Sequence, residues 1–175
     1  MGNTAEMEPD RQSDRPIAIV DIDGVVADVR HRLHHITTRP KDWEAFFDAA
    51  VDDPPHEQGL RVVRTLARDH EIIYLTGRPA RLRRATDEWL ARHGIGGHTL
   101  LMRADGDRRP AAQVKVQLLQ RLARTREVAV VVDDDAQVLA AVRAAGFTTF
   151  PADWEQRALD EDRALEAAQE REGRT

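Results

Sequence analysis

The chain has 175 residues, 41% apolar and only 5% aromatic, with a net charge of −5, which is enough for one domain with its own core. The absence of cysteine excludes disulfides, thiol catalysis and cysteine-bound zinc. No apolar run reaches the length of a membrane span and the polar start MGNTAEMEPDRQSDR is unlike a signal peptide, so a soluble cytoplasmic protein without membrane attachment is expected.

Residues 1–15 hold two Arg against four acids and are predicted to be a disordered tail. The first strand is IAIV, 17–20, followed directly by Asp21, Asp23 and Gly24. A small insert over about 25–57 comes next, expected as a turn or hairpin, a short helix DWEAFFDAA and a Pro-Pro break. EQGLRVVRTLARD then has the apolar spacing of a helix, and EIIYL, 71–75, that of a buried strand ending at Thr76, Gly77 and Arg78. PARLRRATDEWLARHG reads as a helix with Pro79 at its start and Gly94 just past its end. The pattern repeats with strand HTLLM (98–102), helix AQVKVQLLQRLAR, strand VAVVV (128–132), the acids Asp133, Asp134 and Asp135, helix AQVLAAVRAAG and strand FTTF (147–150). Residues 154–175, with four Arg against seven acids, are expected to form an exposed acidic helix or tail without chemistry.

Strands alternating with helices predict an α/β domain over 16–153, a Rossmann-like open parallel sheet of about five strands with helices on both faces. In such a sheet a site forms at the carboxyl ends of the strands. Asp21, Asp23, Thr76, Asp133 and Asp134 all follow strands and therefore converge on one edge, joined by Lys115 from the helix before strand four. Lys115 is notable because the chain has 24 Arg and only two Lys, and a compact ammonium is not replaced by a planar guanidinium. Carboxylates so crowded repel unless a cation sits among them, and hard oxygen ligands suit Mg²⁺. Asp-x-Asp-Gly by itself is equally a calcium site or a solvated turn; the ordered set is the specific signal.

That set, Asp-x-Asp-Gly, Thr-Gly-Arg, Lys and Asp-Asp, resembles the haloacid dehalogenase superfamily of aspartate-nucleophile phosphotransferases from Pro16 to Phe150. The resemblance implies a phosphoric monoester hydrolase with a minimal cap. Asp21 is implied as nucleophile, ionised at neutral pH, and Asp23 as general acid and then base, with its pKa raised by the acidic site. Thr76 would hold a phosphoryl oxygen and Lys115 would neutralise charge. Mg²⁺ would lie on Asp21, the Asp23 carbonyl, Asp134 and Asp133.

Within the superfamily the chain is similar to the 3′-phosphatase domain of bifunctional polynucleotide kinases. Arg78 of TGR and Arg32, eleven residues after Asp21, match substrate-binding arginines there, Gly77 of the same TGR is implied as substrate-binding with them, and RADGDRRPAAQVK and DDDAQVL, with Gln137, follow its loops. Ala111 departs from the acid that domain carries four residues before its lysine. These likenesses imply removal of a 3′-phosphate from a polynucleotide end, with a nucleotidase acting on free nucleotides as the alternative. No Gly-x4-Gly-Lys-Ser/Thr loop occurs in the chain, so either a free-standing phosphatase or one partner of a separate kinase or ligase is expected.

Between Thr76 and Arg126 twelve Arg or Lys face four acids, and Arg81, Arg83, Arg84, Arg103, Arg108 and Arg109 are candidates to track a strand backbone, although from charge alone solvated helix faces are the better account. Trp89 and Tyr74 are expected in the core and not as base platforms, and His31, His34 and His35 are expected as a solvated or phosphate-facing flap. A phospho-receiver domain uses the same residue types in a different order, and an idle scaffold would have lost at least one of Asp21, Asp23, Lys115 and Asp134.

Overall fold

A computed structural model describes residues 15–154 together with Gln156, Arg157 and Asp160. The expected N-terminal tail before Arg15 and most of the acidic C-terminal segment lie outside the described residues. Five strands form one wholly parallel sheet in the order β3-β2-β1-β4-β5. They are β1 (Ile17–Val20), β2 (Glu71–Pro79), β3 (Thr99–Arg103), β4 (Val128–Asp133) and β5 (Thr149–Pro151). The helices are α1 (His34–Thr37), α2 (Trp43–Asp48), α3 (Glu57–Leu66), α4 (Arg83–Arg92), α5 (Ala111–Leu122) and α6 (Ala136–Ala144).

The unbroken apolar run of β1 reflects burial on both faces, as a central parallel strand requires. Alternate residues feed two cores. Ala18, Val20, Ile72 and Tyr74 pack with Leu60 and Val63 of α3 and Trp89 and Leu90 of α4. On the opposite face Ile17, Ile19, Ile73 and Leu75 meet Leu119 of α5 and Val138 and Val142 of α6. Each such aliphatic side chain stabilises the fold by about 1.5–3 kcal/mol through burial. The expected α/β architecture is therefore present, and Trp89 and Tyr74 are both buried in it.

Two boundaries differ from expectation. β2 continues to Pro79, with its pairing to β3 shifting between Thr76 and Pro79, so the Thr-Gly-Arg stretch lies within the irregular end of the strand. Pro79 thus closes β2; a 3-10 turn over Ala80–Leu82 intervenes before α4. Of the turn or hairpin expected after β1, the insert opens with the turn. Backbone N–H groups of Val25, Val26 and Ala27 converge on the Ile22 carbonyl in a tight turn, and a 3-10 turn (Arg30–Arg32) leads into α1. The insert is closed where Ala27 bridges Pro55 and the Asp28 N–H donates to the Pro54 carbonyl. Among the described residues no helix is long and apolar enough to cross a membrane.

Two glycines permit this packing around the first motif. Gly24 has φ +74°, and a Cβ there would stand 2.1 Å from Asp134 Oδ2. Gly59 in α3 lies against the turn, where a Cβ would meet the Val25 carbonyl oxygen at 1.9 Å. The motif turn, α3 and the acidic end of β4 can close on one another only because both side chains are absent.

Candidate active site

The β1–β4 register pairs Val20 with Val132, and the β1–β2 register pairs Val20 with Tyr74, so the sheet sets the ends bearing Asp21, Asp133 and Thr76 side by side. Lys115, in the second turn of α5, reaches into them: Nζ lies 2.9 Å from Asp21 Oδ2 and 2.6 Å from Asp133 Oδ2. All three groups are buried. The two carboxylates hold Lys115 charged despite burial, which acting alone would favour the neutral amine.

Asp21, Asp133 and Asp134 each offer an oxygen within 4.8 Å of the others. Asp21 Oδ1 is buried without a hydrogen-bond partner. A buried, unpartnered carboxylate oxygen beside two further carboxylates is what a hard dication would satisfy, so the donor set fits Mg²⁺. Burial raises the Asp21 carboxyl to about 7, Lys115 opposing the shift and Asp133 and Asp23 adding to it. Asp134 is exposed at the mouth of the cleft; desolvation on its inner side, followed by the charges of Asp21 and Asp133, pushes its pKa up to about 8, a shift that solvent screening reduces. Asp21 therefore differs from the ordinary carboxylate expected from sequence: burial pushes its pKa up, and the paired Lys115 works against that shift.

Asp23 departs from expectation in the other direction. Burial would raise its pKa, but Arg78 and Arg32 outweigh that and hold it below the ordinary value. Asp23 Oδ1 accepts from Arg32 Nη2 at 2.7 Å, Arg78 Nε at 3.0 Å and Arg78 Nη2 at 2.6 Å. The raised pKa expected of Asp23 in a crowded acidic site is not found, because two guanidinium groups outweigh its burial.

A residue that sequence reasoning missed organises this arrangement. Asp53, buried at the end of the insert, accepts from Arg32 Nε and Nη2 at 2.7 Å each and from Arg78 Nη2 at 2.7 Å. His31 Nε2 stands 2.8 Å from its Oδ1, and the Trp89 indole N–H donates to its carbonyl at 2.9 Å. Arg32 is fully buried, its guanidinium carbon 4.1 Å from the Phe46 ring centre. Asp53 lies among Asp52 and two prolines, and nothing in that run marks one acid from the next.

The remaining candidates separate. Thr76 is buried, and its Oγ1 accepts from the Arg78 backbone N–H at 3.2 Å. A Cβ at Gly77 would meet nothing within 4 Å. Asp135 caps α6, accepting from the N–H groups of Gln137 and Val138, and Gln137 is exposed. In the arginine-rich stretch, Arg83 donates to the Leu100 carbonyl, Arg84 pairs with Glu88, Arg103 donates to the Asp107 and Arg109 carbonyls, and Arg109 pairs with Asp107. Of the proposed track only Arg81 and Arg108 keep side chains without such a partner among the described residues. His34 Nδ1 lies 3.0 Å from the His31 carbonyl and stacks on His35, and no histidine joins the acidic cluster.

Comparison with known proteins gives this geometry a family. Residues 15–155 match the family described as the polynucleotide kinase PNKP phosphatase domain. Among curated protein sequences none matches. A solved Pnkp1/Rnl/Hen1 RNA repair complex contains a chain 24% identical, with TM-score 0.63, the likeness covering 86% of this chain and 46% of that one. A second Pnkp1/Rnl/Hen1 structure gives 23% identity and TM-score 0.63, covering 86% and 50%. This chain thus spans about half the length of those relatives. A haloacid dehalogenase-like hydrolase from Streptococcus pneumoniae shares the fold at 12% identity and TM-score 0.54, over 79% of this chain and 84% of that one. The chain belongs to the PNKP phosphatase-domain family and is a haloacid dehalogenase-type phosphatase.

Proposed function

We propose that the protein is a Mg²⁺-dependent phosphatase that removes the 3′-phosphate from a polynucleotide end through a phosphorylated Asp21. The observation carrying the mechanism is the environment of Asp21: one oxygen paired to Lys115, the other buried and unpartnered beside Asp133 and Asp134. The family match supports the polynucleotide substrate.

Asp21, Asp133, Asp134 and the Asp23 carbonyl would hold Mg²⁺, which supplies charge neutralisation and lowers the proton affinity of the nucleophile. Asp21 attacks phosphorus as the bond to the sugar oxygen breaks, and that oxygen takes a proton from Asp23. Water then attacks the aspartyl phosphate, giving its proton to Asp23 as the phosphorus–Asp21 bond breaks and phosphate leaves. Lys115 stabilises charge on Asp21 and the phosphoryl group, and Thr76 holds a phosphoryl oxygen through its hydroxyl. Arg32 and Arg78 serve the substrate phosphate. When they turn from Asp23 towards it, Asp23 loses the charges that depress its pKa and its burial then favours the protonated form the first step needs.

The cytoplasm is the proposed setting, and a separate kinase or ligase the proposed partner, in keeping with the repair complexes whose chains share the fold. The test is phosphate release with Mg²⁺ from a 3′-phosphorylated oligonucleotide, beside a 5′-phosphorylated one and 3′- and 5′-mononucleotides, with Asp21→Asn as blank. Strong preference for the 3′-phosphorylated strand and a dead blank support the reading. Preference for mononucleotides would replace it with a nucleotidase on the same chemistry.

A further inference from the structure

The outer surface of the insert carries groups that the reaction above does not use. Trp43, the first residue of α2, is 49% exposed, whereas Trp89 and Trp154 are buried. Phe47, one turn on, stacks beside it with ring centres 5.9 Å apart and 29° between planes. Phe46 meets the indole edge-on at 5.7 Å, and the guanidinium of Arg32 lies on Phe46 while bonding Asp23. A continuous line of contacts therefore joins the indole to the site.

The segment that leads into it is basic, and the first acid after it, Asp42, is spent capping α2. Between Val29 and Lys41 there is no acid, against four Arg or Lys and three His. Arg30 is engaged by Asp28, and Arg32 by Asp23 and Asp53. Arg39 and Lys41 are exposed and have no carboxylate partner among the described residues, and Lys41 Nζ lies 5.7 Å from the indole centre. Glu44 and Asp48 follow Trp43 and Phe47 by one position, about 100° round the helix.

A half-exposed aromatic group flanked by cations without carboxylate partners is how proteins bind single strands without reading sequence: bases stack on the ring and phosphates pair with the cations, Lys41 exchanging its place over the indole for a phosphate. A protein partner docking through a purely apolar patch would instead desolvate Arg39 and Lys41, which an apolar surface does not compensate. We infer that Trp43, with Phe47 beside it and Arg39 and Lys41 flanking it, is a stacking platform for a base of the strand whose terminal phosphate enters at Asp21. This assignment rests on the phosphatase reading and names the part of the protein that distinguishes a strand from a small ester.

Two measurements test it separately from that reading. In steady-state assays of wild type, Trp43→Ala and Trp43→Phe, the ratio of KM for a 3′-phosphorylated oligonucleotide to KM for p-nitrophenyl phosphate should rise about tenfold in the alanine variant and return most of the way in the phenylalanine variant. In Asp21→Asn, where turnover cannot intervene, the same oligonucleotide should quench the exposed indole, with the midpoint moving to higher concentration as salt increases. An unchanged KM ratio together with no quenching overturns the platform even if the oligonucleotide is hydrolysed. Quenching without hydrolysis by the wild type overturns the reaction and keeps the platform. Loss of both overturns both, and leaves the surface to a protein partner.

Discussion

Asp53 and Asp23 hold the same two guanidinium groups: Arg32 and Arg78 each donate to both carboxylates at 2.6–3.0 Å, with Asp53 and both arginines buried. Two cations are thus balanced by two acids, only one of which belongs to the Asp-x-Asp motif. Removing one partner of a buried pair typically costs about 3–5 kcal/mol because the other charge is left uncompensated. Asp53→Ala is expected to lose stability on that scale in urea denaturation, and Asp53→Asn less, since the amide oxygen still accepts one bond. Phosphate release should fall in both, mainly through a raised KM, because the arginines lose the fixed acceptor that aims them. Unchanged KM in a well-folded Asp53→Asn would show that Asp23 alone positions them.

Gly24 makes a different prediction, because its neighbour belongs to the acidic cluster. A Cβ there would both strain the φ of +74° and displace the Asp134 carboxylate 2.1 Å away. Left-handed backbone at a non-glycine residue costs about 1–2 kcal/mol. Gly24→Ala is therefore expected to unfold at lower urea concentration and, more tellingly, to weaken Mg²⁺ binding by about tenfold or more, as disturbance around a metal's ligands commonly does. A metal titration followed by thermal shift checks it; full Mg²⁺ affinity with lowered stability would mean that Asp134 is not a ligand.

These two residues mark how far the sequence is legible. Gly24 could be read because a glycine directly after two acids at a strand end has a local reason, and the strand ends themselves were visible as short apolar runs stopped by Asp21, Thr76 and Asp133. Asp53 could not, because its role depends on the insert folding back so that Ala27 bridges Pro55, a contact between positions far apart in the chain. Of the acids 133–135 the family resemblance marks Asp133 and Asp134, and the start of α6 makes Asp135 a cap. In α2, six residues give too little periodicity to tell buried Phe46 from exposed Trp43, so the aromatic surface went unread. The raised pKa expected at Asp23 failed for the same reason as Asp53: the arginines that reverse it arrive from the insert and from β2.

Lys115 separates charge from shape. Its ammonium sits between Asp21 and Asp133, and both acids remain buried if it is removed. Lys115→Ala should therefore destabilise the protein in EDTA by about 3–5 kcal/mol. Added Mg²⁺ should recover part of that loss, since a dication in the cleft faces the same carboxylates. Lys115→Arg is expected to rescue neither stability nor turnover fully, because a planar guanidinium does not fit a pocket built for a point charge. Urea curves with EDTA and with Mg²⁺ measure all three outcomes, and equal destabilisation of Lys115→Ala in both would place the metal away from Asp21 and Asp133.

The same carboxylates set the sign of the pH dependence. Folding raises Asp21 from 3.8 to about 7 and Asp134 from 3.8 to about 8, so across that interval the folded chain retains protons that the unfolded chain has lost. Stability contributed by these two groups is then greatest on the acid side and declines as pH rises through their folded values. A dication binds the ionised forms, so its affinity changes in the opposite sense. Burial lowers the pKa values of His93 and His98, so these two add little to the change between about pH 6.5 and 8.5, where the acids are read. In EDTA, Tm should fall across that interval; the gain in Tm on adding Mg²⁺ should grow across it, and Mg²⁺ binding near neutral pH should release protons, seen as a heat that depends on the buffer. An equal Mg²⁺ gain at both ends would mean that Asp21 and Asp134 are already ionised without the metal, and that Lys115 alone offsets their burial.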